Sequence, residues 1–249
     1  MRPGFSEKEN AMKILLLTAA LTLTAVSFAG FTQDFDDIGD ATTNGQLEGA
    51  NLEAQGWFLK NQSATAGLSD WFQGNPAVFS AQSGATDAYI GANFDNGAGT
   101  TTISNWLITP VVTLENGATF KFWTRKPTTS NFPDRLRVFQ STSGNSTNTG
   151  TLATDTGDFS TLLLDINPSY STVIYPNVWT EFTIVIAGVA NPTQGRLAFN
   201  YFVENGGPTG TRSDYIGIDT VSYVDAIPEP ATLTVLAGAA VAALARRRK

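Results

Sequence analysis

Tryptophan and carboxylate side chains carry most of the chemistry this chain can offer, because histidine and cysteine are both absent. Their absence removes Ser-His-Asp triads, Cys-His dyads, HExxH zinc sites, thiol nucleophiles and disulfides, and most general-base catalysis near neutral pH. What remains for catalysis is a carboxylate pair of the kind that cleaves glycosidic bonds, or lysine and tyrosine in unusual settings. Between residues 30 and 230 the lysines are only Lys60, Lys121 and Lys126. The tryptophans, Trp57, Trp71, Trp106, Trp123 and Trp179, offer flat faces on which sugar rings stack. Asp155-Thr156-Gly157 matches the tripeptide of aspartic proteases, but that chemistry needs two lobes and the chain has one copy. Asp155 and Asp158 lack the remaining acidic spacing of an EF-hand and read as turn residues.

The elements that must position these residues read as strands. From Phe31 to Val224 the chain is rich in Thr, Ser, Asn, Gly and aromatics and poor in helix formers. In Thr119-Phe-Lys-Phe-Trp-Thr-Arg125, Phe120 and Phe122 share one face while Lys121, Trp123 and Arg125 share the other, so Trp123 is expected on a solvent face. Trp71, in Ser69-Asp-Trp-Phe-Gln-Gly74, is expected on a loop. These two are the candidate ligand aromatics. Leu197, Phe199, Tyr201 and Val203 line one face of a second alternating segment. Further strands are expected at residues 31–36, 56–61, 87–93, 106–113, 134–141, 161–166, 178–187 and 214–224. Asn96-Gly97, Asn116-Gly117 and Gly206-Gly207-Pro208 supply turns between them. About ten short strands without intervening helices predict an all-β, two-sheet antiparallel sandwich. The Ser/Thr/Gly/Asn stretch 142–150 reads as a mobile surface excursion.

Both ends differ from the middle. Lys13 precedes an apolar run from Ile14 to Val26, and Ser27-Phe28-Ala29 places small residues where a signal peptidase cuts. Residues 1–29 therefore read as a Sec-type signal peptide, with Met12-Lys13 as a conventional start. At the other end, Pro228-Glu229-Pro230 is followed by uncharged residues from Ala231 to Ala245 and then by Arg246, Arg247, Arg248 and Lys249. As a helix that run spans roughly 22 Å, short of the ~20 residues of a comfortable transmembrane span. Such a segment suits a transient membrane stop, with the basic terminus held inside. The whole chain carries −7; the first 29 residues carry +1 and the last 19 carry +4, which leaves −12 on residues 30–230. An acidic middle of that kind has no electrostatic case for nucleic acid.

The tail Pro228-Glu-Pro-Ala-Thr232, apolar run and basic end resemble a PEP-CTERM protein-sorting signal, which implies export and handling by signal peptidase and exosortase. A second resemblance rests on the order of landmarks through the middle. Gln33-Asp-Phe-Asp36, Gln55-Gly-Trp57, Asn105-Trp-Leu-Ile-Thr-Pro110, Ala118-Thr-Phe-Lys-Phe122 and Asp134-Arg-Leu-Arg-Val138 come first. Val178-Trp-Thr-Glu-Phe-Thr183 and Ile216-Gly-Ile-Asp-Thr-Val221 follow. This pattern resembles the choice-of-anchor J domain, related to cleaved-adhesin and MAM-like jelly rolls. It implies a jelly-roll sandwich over residues 30–226, flanked by the signal-peptide helix and by a short hydrophobic helix within the sorting signal, 227–249. It implies a non-catalytic adhesion or binding module, with extracellular polysaccharide or a surface protein as partner. The alternative is a carboxylate-dependent glycan-active enzyme on the same scaffold. Trp57, Trp106 and Trp179 fall within the family's framework and are expected in the core. The resemblance also implies a structural calcium held by Asp34, Asp36 and Asp219, although Thr220 stands where the family usually has a second acidic residue.

Overall fold

Two antiparallel sheets face each other, each built around one long strand near the C-terminal end of the sequence. The computed structural model describes residues 30–43 and 46–226. In chain order the strands are β1 (Phe31–Gln33), β2 (Asp40–Thr43), β3 (Gln46–Gly49), β4 (Phe58–Asn61), β5 (Phe72–Gln73), β6 (Ile90–Asn93) and β7 (Thr101–Ile108). There follow β8 (Val112–Leu114), β9 (Thr119–Arg125), β10 (Leu136–Ser141), β11 (Thr161–Ile166), β12 (Thr180–Val185), β13 (Thr193–Gly206) and β14 (Tyr215–Val224). One short helix, α1 (Ala50–Ala54), joins β3 to β4. The first sheet runs β12-β9-β14-β6-β5, and β1 adds to β14 beyond β6. The second runs β11-β10-β13-β7-β4, and β8 adds to β13 beyond β7. A separate hairpin pairs β2 with β3. The described residues thus form a β-sandwich with almost no helix.

The core forms where the two inner faces meet. On β9, Phe120 and Phe122 point inward; on β13, Leu197, Phe199, Tyr201 and Val203 do so, and all are fully buried. Phe199 stands 5.4 Å from Phe120 and 4.9 Å from Phe122 between ring centroids, so one ring of the second sheet meets two of the first. Aromatic contacts at this spacing add about 0.5–1.5 kcal/mol to the area buried.

Strand boundaries differ from the alternation in two informative places. The segment expected as a single strand, 106–113, is divided between β7, which begins earlier at Thr101, and β8. Pro110 has no N–H to give the ladder, and Thr109 turns its hydroxyl to the Pro110 carbonyl. The first strand is also shorter than expected. It ends at Gln33, because Phe35 takes a left-handed backbone (φ 52°), and the Gln33 Oε1 accepts the Phe35 N–H at 2.8 Å.

Two excursions cover the outer faces. Residues 74–89 fold over the first sheet and place Phe79 and Tyr89 against Tyr215, with Phe72 and Trp179 packed alongside. Gly217 makes this possible: a Cβ there would stand 2.9 Å from Phe79, Trp179 and Tyr89 atoms alike. Gly217→Val is expected to destabilise the domain by about 1–3 kcal/mol through overpacking, read from urea denaturation. An unchanged midpoint would show that the excursion yields without cost. The stretch 142–150 is likewise no free loop. The Lys60 Nζ donates to Thr149 Oγ1 at 2.8 Å, and the Thr149 hydroxyl donates to Gln62 Oε1 at 2.5 Å. Beyond it, Phe159 packs on Trp106, 5.7 Å between centroids.

Candidate functional site

The three carboxylates expected to share calcium do not form one cluster. Asp34 and Asp36 are exposed on either side of buried Phe35, and the left-handed turn at Phe35 removes the strand geometry that would have aligned them. Asp36 instead reaches the turn at Gly84, where an added Cβ would lie 2.9 Å from its Oδ1. Asp219 approaches the same turn from β14, fully buried. Its Oδ2 accepts the N–H groups of Gln82 (2.7 Å) and Ser83 (3.2 Å), and its Oδ1 accepts the Thr220 N–H (2.6 Å) and hydroxyl (3.2 Å). A carboxylate offers about four lone-pair directions, so the protein's own donors take up Asp219. Among the described residues no group of three or more acidic, His or Cys side chains could hold an ion. Side-chain carboxylates alone therefore do not assemble here the six to eight oxygens that calcium takes.

Asp219 has a different task. Thr220 sits in a bulge with φ 48°, where the β14–β9 register shifts between Asp219 and Ser222. The carboxylate caps that bulge and fastens the 74–89 excursion to the sheet. Burial pushes the Asp219 carboxyl up to about 6, against the pull of its N–H donors. Asp219→Ala is expected to free the excursion and raise hydrogen exchange at Gln82 and Ser83. Unchanged protection there would contradict this role.

Of the two candidate aromatics, Trp71 is corrected. It is fully buried in the core between the sheets, because it leads into β5 and alternates with Phe72, which faces outward. Trp123 is half-buried on the outer face of β9, with inward Phe122 and Thr124 as its neighbours in the chain. In register it lies between Glu181 of β12 and Asp219 of β14. Beside it Lys121 Nζ pairs with Glu181 Oε1 at 3.8 Å, with both side chains about two-fifths exposed (43% and 41%). Such a pair is worth at most about 1 kcal/mol and yields readily to a ligand. At the far end of the row, the Arg125 guanidinium lies 4.5 Å over Phe79 and donates to the Asn177 carbonyl.

The framework tryptophans divide. Trp57 fills the core between the sheets, while Trp106 is buried under the second excursion with Phe139 and Phe159. Trp179 is only partly buried and belongs to the outer aromatic layer, its Nε1 donating to the Ser80 carbonyl at 2.9 Å. Asp155 and Asp158 act as turn carboxylates: Asp155 accepts the N–H groups of Thr151 and Leu152, and Asp158 accepts the Ser146 hydroxyl. Asp70 and Asp214 each line a cleft. Asp70 lines a cleft of about 260 Å³ with Lys60 and Asn61. Asp214 lines one of about 200 Å³ with Phe94 and Phe132.

Comparison with known proteins fits this layout. Residues 226–249 match the PEP-CTERM protein-sorting motif, so the chain carries that motif directly after β14. The motif implies an exported, cell-surface protein. The sandwich resembles the K1 cleaved adhesin domain of Lys-gingipain from Porphyromonas gingivalis W83. Identity is 19%, 80% of this chain and 99% of that one are covered, and the TM-score is 0.50. It is also similar to the K3 cleaved adhesin domain of the same protein, at 17% identity, 78% and 95% coverage and TM-score 0.46. The fold is therefore that of an adhesin-like sandwich. No curated protein matches the sequence. Among the described residues no helix is long and apolar enough to cross a membrane. The expected signal peptide, Pro228, Glu229 and Pro230, and both terminal helices lie outside the described residues.

Proposed function

We propose that this protein is a non-catalytic adhesion or binding module of the cell envelope or extracellular matrix. A Sec-type signal peptide exports it, and its tail is processed by exosortase after a transient stay in the membrane. The observation that carries the reading is the sorting motif joined directly to an adhesin-like sandwich. The ligands are surface polysaccharide or surface protein, and the row Lys121, Trp123, Glu181 on the outer face of the first sheet is one contact surface. Pull-down of the purified sandwich with exopolysaccharide and whole cells tests the reading. Retention without change in polymer length is expected; no retention by any polymer or cell, or shortening of the polymer, would overturn it.

A further inference from the structure

The outer face of the second sheet carries a ladder in which arginines alternate with rings. The Arg212 guanidinium lies 3.9 Å over Tyr170, and Arg135 lies 5.5 Å over the same ring. Arg135 also lies 5.4 Å over Phe202, with Arg137 at 3.7 Å over that ring and 5.1 Å over Phe139. Three cations on one face stand out in a middle region that carries −12.

Their charges are not balanced equally. In register, Asp165 of β11 stands directly opposite Arg137 of β10. Yet both Asp165 oxygens go to Arg135, Nε to Oδ1 at 2.9 Å and Nη2 to Oδ2 at 2.6 Å. Arg137 receives only a neutral partner: its Nε and Nη2 both donate to the Asn200 Oδ1, at 3.0 and 2.6 Å. Among the described residues the ion pairs are Lys121–Glu181 and Arg135–Asp165, so Arg137 and Arg212 have no carboxylate in contact. Glu204 and Asp165 act on Arg137 only from a distance, while burial and Arg135 push its pKa down to about 10. Half-burying a cation without a counter-charge is unfavourable, and Asn200, which fixes the guanidinium plane, is itself fully buried. The result is a planar cation stacked on one ring, held along one edge and uncompensated. Guanidinium geometry matches a carboxylate through two parallel N–H donors.

We infer that Arg137, flanked by Arg212 and backed by Phe202, binds a carboxylate-bearing sugar, so that the polymer this module recognises is a uronate-containing polysaccharide. The inference rests on the binding-module reading above and names its ligand class. The −12 middle does not prevent it, because charges beyond about 8 Å are screened at physiological salt.

Affinity electrophoresis in polygalacturonate, with fully methyl-esterified polygalacturonate as the uncharged twin, tests it. Wild type should be retarded by the acidic polymer only, with retardation falling as salt rises. Arg137→Met should weaken binding at least tenfold with its melting temperature preserved. Arg212→Gln, at the edge of the ladder, should weaken it severalfold. Equal binding of wild type and R137M to the acidic polymer, or equal retardation by both polymers, would overturn the assignment. If R137M does not fold, wild-type affinity in R212Q overturns it. Capture of a neutral glycan or of cells without any affinity for polygalacturonate would sink this inference and leave the binding-module reading standing. No capture of any kind would sink both.

Discussion

Phe199→Ala is expected to cost about 3–5 kcal/mol, the range for truncating a fully buried aromatic. A domain of this kind has roughly 5–15 kcal/mol in total, so this is a large fraction. The ring touches both Phe120 and Phe122, and β13 and β9 belong to opposite sheets. Its removal opens a cavity at the place where the sheets are joined, and long side chains on both walls limit collapse. Chemical denaturation of the sandwich measures the loss. A cost below about 1 kcal/mol would mean that the sheets are held elsewhere, since even partial collapse leaves the lost transfer energy of the ring.

The second large effect is a dependence on pH that runs opposite to ordinary acid denaturation. Burial pushes Asp134 up to about 7 and Asp70 and Asp219 up to about 6, from an ordinary 3.8. For Asp134 the geometry agrees: Oδ1 accepts the Tyr201 hydroxyl at 2.7 Å and the Asp214 N–H at 2.9 Å, while buried Oδ2 has no partner and can carry a proton. A carboxyl whose folded pKa exceeds its unfolded pKa binds more protons when folded. Its contribution is therefore fully present below about pH 4 and is lost as pH rises through 6 and 7. Each pKa unit corresponds to about 1.4 kcal/mol, so three such groups together shift stability by several kcal/mol. Between pH 8 and pH 5 the three amount to about 5 kcal/mol, so at about 2–4 °C per kcal/mol for a domain of this size the melting temperature should rise by roughly 10–20 °C. Asp134→Asn, which keeps the Oδ1 acceptor and fills the Oδ2 position with a donor, should flatten this slope. A melting temperature that falls from pH 8 to pH 5 would show that these carboxyls are ionised in the folded state.

The parts of this molecule legible in the sequence are those set by local alternation. Lys121, Trp123 and Arg125 share the outer face of β9 as the period-two pattern requires, and Phe120 and Phe122 are buried opposite them. The same rule puts Arg135 and Arg137 on one face of the motif Asp134-Arg-Leu-Arg-Val138, a signal available but not exploited by reading that motif only as family framework. What the pattern could not show are contacts between residues far apart in the chain. Asp219 is tied to Gln82 across 137 positions, and Lys60 to Thr149 across 89. Neither excursion has apolar alternation of its own, so 142–150 reads as a free loop and Asp219 as an ion ligand. Trp71 failed for a related reason: the two-residue strand β5 beside it is too short to show a period. Thr220, where the resemblance leads one to expect a second acidic residue, marks a bulge capped by Asp219.

The central claim is that the sandwich is exported and its ends are removed, leaving a binding module at the surface. Intact mass of the protein recovered from its native cells tests this most directly. The account predicts a species that starts at Gly30 and lacks the residues after the Pro228-Glu229-Pro230 motif, with or without an added group at the new C-terminus. A species that begins at Met1 or Met12 and ends at Lys249 would contradict it.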